Sequence, residues 1–306
     1  MNKRNCYKKI AGLCFFTANK ECREKRMAGY EFYMEMVWNV FVLTGIELMY
    51  LLGVVIAAGF LLGIVESFSN QWAYKAWGRS GILVTSFIGT PIHEAGHALL
   101  CILFHHKITA IKFLDLNPQA ETLGYVQHSF DKQSLYQRMG TFFISMGPIF
   151  SGTASILFFL YFLEPDVFQV LQKLAANAPL DASGMQLIQW FEYSIKVFYG
   201  EIVNFTKLGS WQYGLFLFLA ISVSSHIALS TTDLKNMMSG LGVIFCVAVL
   251  GNAVAALIEV DTLHYVLLLA PYNIYLLSVL SVSILFSLFT ACLMGGICFI
   301  KRIFFY

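Results

Sequence analysis

Six long apolar runs, each bounded by polar residues, divide most of this sequence into segments of membrane-spanning length. A transmembrane helix needs about 20 mostly apolar residues to cross a hydrocarbon core about 30 Å thick. Only 12% of the residues are charged, against about a quarter in a soluble domain. The sequence therefore predicts an all-α polytopic membrane protein with about six transmembrane helices, at residues 38–65, 81–104, 139–163, 211–229, 237–257 and 274–300.

Lysines and arginines predict the orientation of these helices, because they accumulate in cytoplasmic segments. A basic arm, residues 1–36, precedes a membrane domain that extends over residues 37–306. With the arm inside, fifteen of the twenty cations fall in cytoplasmic segments. The predicted localisation is thus the cell membrane, multi-pass, with both termini cytoplasmic and an acidic outer loop at residues 164–210.

The connection between the second and third runs contains two short alternating pieces, ITAIKFLDL and LGYVQHSF, separated by Asn117-Pro118. Alternation bounded by such turn residues predicts a small cytoplasmic β-hairpin after the second helix. Its exposed edge can receive an extended peptide by strand addition. A hairpin that only connects two helices is an equally good interpretation.

A polar motif, TPIHEAGH at residues 90–97, interrupts the second apolar run. On a helix, His93 and His97 lie on one face about 6 Å apart, so both imidazoles can bind one metal ion. Glu94 lies on the flank of that face, where a carboxylate can take a proton from a metal-bound water. This HExxH pattern predicts His93 and His97 as metal ligands and Glu94 as the catalytic base. Polar residues that merely pack against other helices are the alternative.

A catalytic zinc ion usually takes three protein ligands, so a further Asp, Glu or His is needed. His226 and Asp233 are the candidates at the inner end of the fourth predicted helix. They are about 10 Å apart along a straight helix, so only one of them can bind. Depth favours His226 on a straight helix, whereas a break and cap at residues 230–232 would bring Asp233 to the metal. Glu164 is predicted on the opposite, outer side.

Four features together resemble the site-two protease family of intramembrane zinc metalloproteases. They are HEAGH on a membrane helix, a GYV strand, Gly147-Pro148 in the next helix, and an aspartate near the inner end of a later helix. The resemblance covers about residues 81–240 and implies His93, His97 and Asp233 as Zn²⁺ ligands, with Glu94 activating water. The family usually places its aspartate before glycine in a proline-containing segment, whereas this chain has LSTTDLK.

The expected function is a zinc-dependent intramembrane endopeptidase that hydrolyses membrane-spanning or membrane-anchored peptides. Its expected partners are a membrane-protein or membrane-peptide substrate and the lipid bilayer. No nucleic-acid motif is present, and the seven cysteines contain no CxxC pair that would indicate a thiolate metal site. The alternatives are an HExxH membrane metalloprotease acting on soluble or lipidated substrates, a non-hydrolytic metal-dependent regulator, and a purely structural membrane protein.

The sequence also predicts roles for some polar and aromatic residues outside the motif. Glu47 lies inside a predicted membrane helix, where it either supports a ligating imidazole or forms an interhelical hydrogen bond. The aromatic segment at residues 71–79 is predicted as an interfacial anchor on the outer surface. His105, His106 and His128 are predicted as solvated histidines at the cytoplasmic surface.

Overall fold

A computed structural model describes residues 20–117, 120, 122–177 and 184–304. The described chain is mostly helical, with a single π-helical turn at Met49–Gly53 and a 3₁₀ turn at Phe205–Lys207 among its described residues. The α-helices are α1 (Lys20–Leu48), α2 (Val54–Trp77), α3 (Arg79–Leu103), α4 (Leu135–Ser145), α5 (Gly147–Leu163), α6 (Pro165–Ala176), α7 (Gly184–Ile202), α8 (Trp211–Ser224), α9 (Thr231–Leu257), α10 (Thr262–Leu267) and α11 (Ala270–Phe304). Strands β1 (Lys107–Lys112) and β2 (Tyr125–Ser129) form a two-stranded antiparallel sheet.

Three helical stretches in the described part of the chain are long and apolar enough to cross a membrane: Met34–Gly53, Thr231–Leu257 and Leu276–Ile303. The pair α4 and α5, bent by 52°, makes a fourth if the two helices form one span. The predicted helical class and the small sheet are therefore confirmed, and the candidate spans are consistent with a membrane protein. The predicted total of six spans stays a prediction.

Short polar side chains start several of these helices by accepting hydrogen bonds from orphaned backbone amides. Ser134 caps α4 through the Gln137 amide, and Ser210 caps α8 through the Tyr213 amide. Pro148 lies in the first turn of α5, where its missing N–H costs no intrahelical hydrogen bond. The chain therefore bends between α4 and α5 without losing helical structure on either side.

Helix α3 lies at the centre of the bundle and contacts α2, α4, α5, α8 and both strands. Its closest approach is to α5, where Gly96 meets Gly147. A Cβ placed on Gly147 would lie 2.7 Å from the Gly96 carbonyl carbon, and one on Gly96 would overlap the Gly147 carbonyl oxygen. Two glycines thus let these backbones touch directly beside His97.

The segment predicted as an outer loop, residues 164–210, contains helices α6 and α7. Val167 and Leu171 of α6 and Phe198 and Ile202 of α7 are buried in one apolar cluster with α5, α8 and α11. Each pair is spaced by four residues, which is the spacing of one helical face. This pattern is difficult to recognise in the sequence, because the segment is acidic and its charged residues lie on the other faces of short helices.

The first predicted helix, residues 38–65, is also longer than expected. Helix α1 begins at Lys20, inside the predicted basic arm, and α2 continues to Trp77 beyond the π-helical turn. Helix α1 packs against α9, whereas α2 packs against α11 and α3. The turn therefore separates one helical path into two parts with different neighbours. Residues 1–19 of the predicted arm lie outside the described residues.

Candidate metal centre

Two histidines from α3 and one aspartate from α9 converge at the centre of the bundle. The Nε2 atoms of His93 and His97 are 3.3 Å apart, and His97 Nε2 is 3.6 Å from Asp233 Oδ1. One ligand atom from each of the three residues lies within 4.8 Å of the others. These residues can hold a metal ion.

Asp233 reaches this position because the chain leaves the helical path between α8 and α9. Helix α8 ends at Ser224 and α9 begins at Thr231, with Ser230 as its N-cap. The Asp233 Oδ2 atom accepts from the Ser230 amide at 2.9 Å and from the Ser230 hydroxyl at 2.6 Å. The cap therefore fixes one carboxylate oxygen and leaves Oδ1 facing His97. The helix break and cap predicted at residues 230–232 are confirmed.

The non-helical residues between α8 and α9 lie in the protein interior. Ile227, Ala228 and Leu229 are buried, and Gly152 of α5 leaves the space that the Ile227 side chain fills. The Ser287 hydroxyl of α11 donates to the Ser224 carbonyl at 2.5 Å, which satisfies an acceptor at the end of α8. Irregular backbone is tolerated at membrane depth only where it is buried in protein or lines a cavity. Helices α5 and α11 supply that protection here.

Backbone carbonyls determine which ring nitrogen carries the hydrogen in His93 and His97. His93 Nδ1 donates to the His226 carbonyl at 2.7 Å, and His97 Nδ1 donates to the Ile144 carbonyl at 2.7 Å. A carbonyl oxygen only accepts, so each ring carries its hydrogen on Nδ1 and presents the Nε2 lone pair to the centre. This arrangement is typical of metal-ligating histidines, whose other nitrogen usually donates to a carbonyl or carboxylate.

The chemistry of this donor set fits a divalent cation. Two imidazole lone pairs and a carboxylate oxygen point at one place, and such acceptors repel each other unless a cation or a proton lies between them. Ligands about 2.0–2.1 Å from a tetrahedral zinc ion are about 3.3 Å from each other. The 3.3 and 3.6 Å separations are close to that value, and all three ligand atoms lie within 4.8 Å of one another.

The alternative third ligands lie elsewhere. The His226 Nε2 atom contacts Thr85 Oγ1 at 3.0 Å, and its Nδ1 atom is 3.6 Å from Glu66 Oε1. Glu164 accepts from Lys207 Nζ at 2.9 Å in the region of α6. Among the described residues, Asp233 is the side chain that joins the histidine pair. His226 instead contributes its backbone carbonyl to the orientation of His93.

Glu94 is buried beside the start of strand β2. A Cβ placed on Gly124 would lie 2.9 Å from Glu94 Cγ and 2.9 Å from Thr90 Cγ2, so only glycine fits without displacing these side chains. The Thr90 hydroxyl is buried and has no hydrogen-bond partner among the residues that the structure describes. The GYV segment singled out in the sequence therefore covers the face of α3 that carries Glu94.

The β-hairpin follows α3 toward the beginning of that helix. Arg79, the first residue of α3, donates to the carbonyls of Asp115, Ala120 and Thr122 in the connection between the strands. The sequence predicts Arg79 at the outer surface and the hairpin at the cytoplasmic surface, whereas these contacts bring the connection between the strands to the start of α3. The position of the hairpin relative to the membrane stays a prediction.

A histidine pair that sequence reasoning missed joins the base of the hairpin to the helices. His106 Nε2 donates to the Gln137 carbonyl at 2.8 Å, and its Nδ1 atom lies 3.0 Å from His128 Nδ1. Because His106 carries its hydrogen on Nε2, the hydrogen between the rings belongs to His128. Their prediction as solvated surface histidines is wrong. The spacing gave no signal, since 22 residues separate them and the strand register brings them together.

Burial and the neighbouring His106 lower the pKa of His128 from 6.5 to about 4. Burial likewise lowers the pKa of His106. Both rings are therefore neutral near pH 7.

Glu47 does not support a ligating imidazole. Its Oε2 atom accepts from Asn252 Nδ2 at 2.5 Å, and the same amide donates to Thr44 Oγ1 at 2.9 Å. These bonds join α1 to α9. Of the two roles left open by the sequence, the interhelical hydrogen bond is the one observed.

No protein-family model, no curated protein and no solved structure matches this chain. The functional argument therefore depends on the residues of the site and their geometry.

Proposed function

We propose that this protein is a zinc-dependent intramembrane endopeptidase that hydrolyses membrane-spanning or membrane-anchored peptides. The observation that carries the proposal is the convergence of His93 Nε2, His97 Nε2 and Asp233 Oδ1, with both histidine tautomers fixed by carbonyls. Three protein ligands leave a fourth position open, which is the composition of catalytic zinc sites. The motif resemblance to the site-two protease family agrees with this interpretation.

In the proposed mechanism, zinc would act as a Lewis acid that lowers the pKa of water and polarises the scissile carbonyl. Glu94 takes one proton from the attacking water as the C–O bond forms. It then delivers that proton to the amide nitrogen as the C–N bond breaks. The glutamate next to the first ligand is suited to both steps, because it is buried beside the ligands and is not one of them.

The hairpin is the proposed binding element for the substrate. Among the described residues, strands β1 and β2 pair only with each other, so each strand has one edge without a neighbouring strand. An extended peptide that added to a free edge would run alongside α3 near Glu94, since Gly124 contacts that side chain. Peptide bonds within a helix must unwind before attack, and strand addition would hold the unwound form.

The test is a peptide-release assay on single-span membrane substrates, combined with the zinc content of the purified protein. Glu94→Gln should retain zinc and lose cleavage, and His97→Ala should lose both. Zinc binding by the parent without any cleavage that depends on Glu94 would favour a non-hydrolytic regulator. Absence of zinc from the parent, with zinc supplied during purification, would contradict the proposal itself.

A further inference from the structure

A second polar cluster, buried at two of its four residues and partly buried at the others, lies directly behind His93, between α2, α3 and the chain that connects α8 to α9. Its members are Glu66, Thr85, Ser86 and His226. Among the described residues, these four side chains form no hydrogen bond and no ion pair with His97 or Asp233. The His226 ring is only 4% exposed, so each of its nitrogens requires a partner.

The hydrogen bonds determine how this ring is held. The Ser86 hydroxyl donates to the Ile82 carbonyl at 2.8 Å, and the Thr85 hydroxyl donates to the same carbonyl at 3.3 Å. His226 Nε2 lies 3.0 Å from Thr85 Oγ1 and 3.3 Å from Ser86 Oγ. These two hydroxyls of α3 hold the Nε2 side of the ring.

The other ring nitrogen, His226 Nδ1, faces Glu66 Oε1 at 3.6 Å. Glu66 therefore supplies a polar partner for the Nδ1 side of this largely buried ring. Asn70 Nδ2 donates to the same Glu66 oxygen at 3.3 Å, which orients the carboxylate. Glu66 thus fixes the side of the His226 ring that the α3 hydroxyls do not reach.

Glycine at position 89 allows this arrangement. A Cβ on Gly89 would lie 2.6 Å from His226 Cδ2 and 2.8 Å from His226 Cβ, and it would overlap the Ser222 carbonyl oxygen. The His226 residue therefore rests on the α3 backbone one turn before His93. From that position its carbonyl accepts the His93 Nδ1 hydrogen at 2.7 Å.

We propose that Glu66 is a positioning residue for the metal centre, which acts on His93 through His226. By holding the His226 ring, Glu66 holds the carbonyl that fixes the tautomer and the orientation of the His93 imidazole. The inference rests on the metal centre of the proposed function and adds a residue from α2, a helix that supplies no ligand. Such outer partners commonly change metal affinity by about 10–100-fold.

The experiment measures Co²⁺ binding to the full-length protein in detergent, through the visible absorption of the bound ion and a competition titration. Glu66→Ala should weaken Co²⁺ binding by about 10-fold or more and change the absorption spectrum, because His93 loses its fixed orientation. Glu66→Gln should restore both properties nearly to the parental values, since the amide of this variant can donate to His226 Nδ1 or accept from it. Glu47→Ala is the matched control, because Glu47 is also an acid inside an apolar helix, and its hydrogen bond goes to Asn252 of α9. This variant should bind Co²⁺ as the parent does.

The outcomes separate this inference from the proposed function. Parental affinity and spectrum in Glu66→Ala would overturn the positioning role and leave the metal centre intact. An equal loss in Glu47→Ala would also overturn it, because the effect would then be one of general stability. A parent that binds no Co²⁺ would overturn both the metal centre and this inference. If Glu66→Ala does not fold, Thr85→Val decides the question, since it removes a partner of His226 Nε2 and should weaken Co²⁺ binding several-fold.

Discussion

Each of the three candidate ligands directs one atom at the possible metal position, and the protein holds another of its atoms. Asp233 uses Oδ2 for the helix cap and Oδ1 for the centre, and the two histidines use Nδ1 for carbonyls and Nε2 for the centre. Such partners fix the direction of every lone pair before a metal ion binds. Geometry that is fixed in advance reduces the entropy lost on binding.

A substitution at Ser230, the N-cap of α9, tests whether the cap determines the position of Asp233. Ser230→Ala removes the hydroxyl that donates to Asp233 Oδ2 and accepts from the Asp233 amide. We expect a loss of about 1 kcal/mol in the free energy of unfolding and weaker zinc binding, measured by denaturation and by competition with a chelating dye. Ser230→Thr keeps the hydroxyl and serves as the control. Equal zinc affinity in all three proteins would show that the cap does not position Asp233.

A substitution at Gly124 tests whether the residue just before strand β2 positions Glu94, the proposed catalytic base. Gly124→Ala would place a methyl group 2.9 Å from Glu94 Cγ, so Glu94 or the strand must move. We expect a reduced kcat with zinc content unchanged, because the ligands themselves are not contacted. Gly200→Ala is the control, since a Cβ at that position meets no atom within 4 Å. Full activity in Gly124→Ala would argue against close positioning of Glu94 by the hairpin.

The hairpin is an element whose attachment depends on pH. The pKa of His128 falls from 6.5 to about 4 because the ring is buried and lies beside His106. The unfolded chain therefore binds more protons than the folded chain between these two pH values. The contribution of His128 to stability is complete above about pH 6.5 and is lost as the pH falls toward 4.

Unfolding of the protein in detergent across that pH range measures this effect. His128→Gln should show a smaller loss of stability on acidification than the parent, because the titrating ring is absent. His105→Gln is the control, since His105 is exposed and should leave the pH profile unchanged. Identical profiles in the parent and in His128→Gln would mean that this ring does not titrate with unfolding.

Local patterns predicted the elements of the site better than its surroundings. HEAGH and the cap at residues 230–232 were readable because helical spacing and capping chemistry involve residues close in sequence. The His106–His128 pair and the Glu66–His226 contact were not readable, because they join residues 22 and 160 positions apart. Helices α6 and α7 were missed because their apolar faces consist of few residues each.

At the scale of the whole molecule, the candidate metal centre brings together residues from two helices that are far apart in the sequence. His93 and His97 come from α3, and Asp233 comes from α9 beyond the helix break. A ligand that binds the folded state alone stabilises it by mass action, by about 2.7 kcal/mol at one hundred times its dissociation constant. Bound metal should therefore hold the two helices together.

Removal of the metal ion should lower the thermal stability of the purified protein. We expect the chelated protein to unfold at a lower temperature than the zinc-loaded protein, and added Zn²⁺ to restore the difference. His97→Ala should show no such response, because one ligand is missing. A parent whose unfolding temperature is the same with chelator and with zinc would argue that the centre contributes nothing to the fold.

Zinc X-ray absorption spectroscopy of the purified full-length protein tests the central claim most directly. The account predicts a first shell of nitrogen and oxygen donors at about 2.0–2.2 Å, with two imidazoles in the parent and no zinc signal from this site in His97→Ala. Asp233→Ala should lose an oxygen donor, and His226→Ala should retain both imidazoles. Sulfur donors around the zinc ion, or a spectrum that is the same in the parent and in His97→Ala, would contradict it.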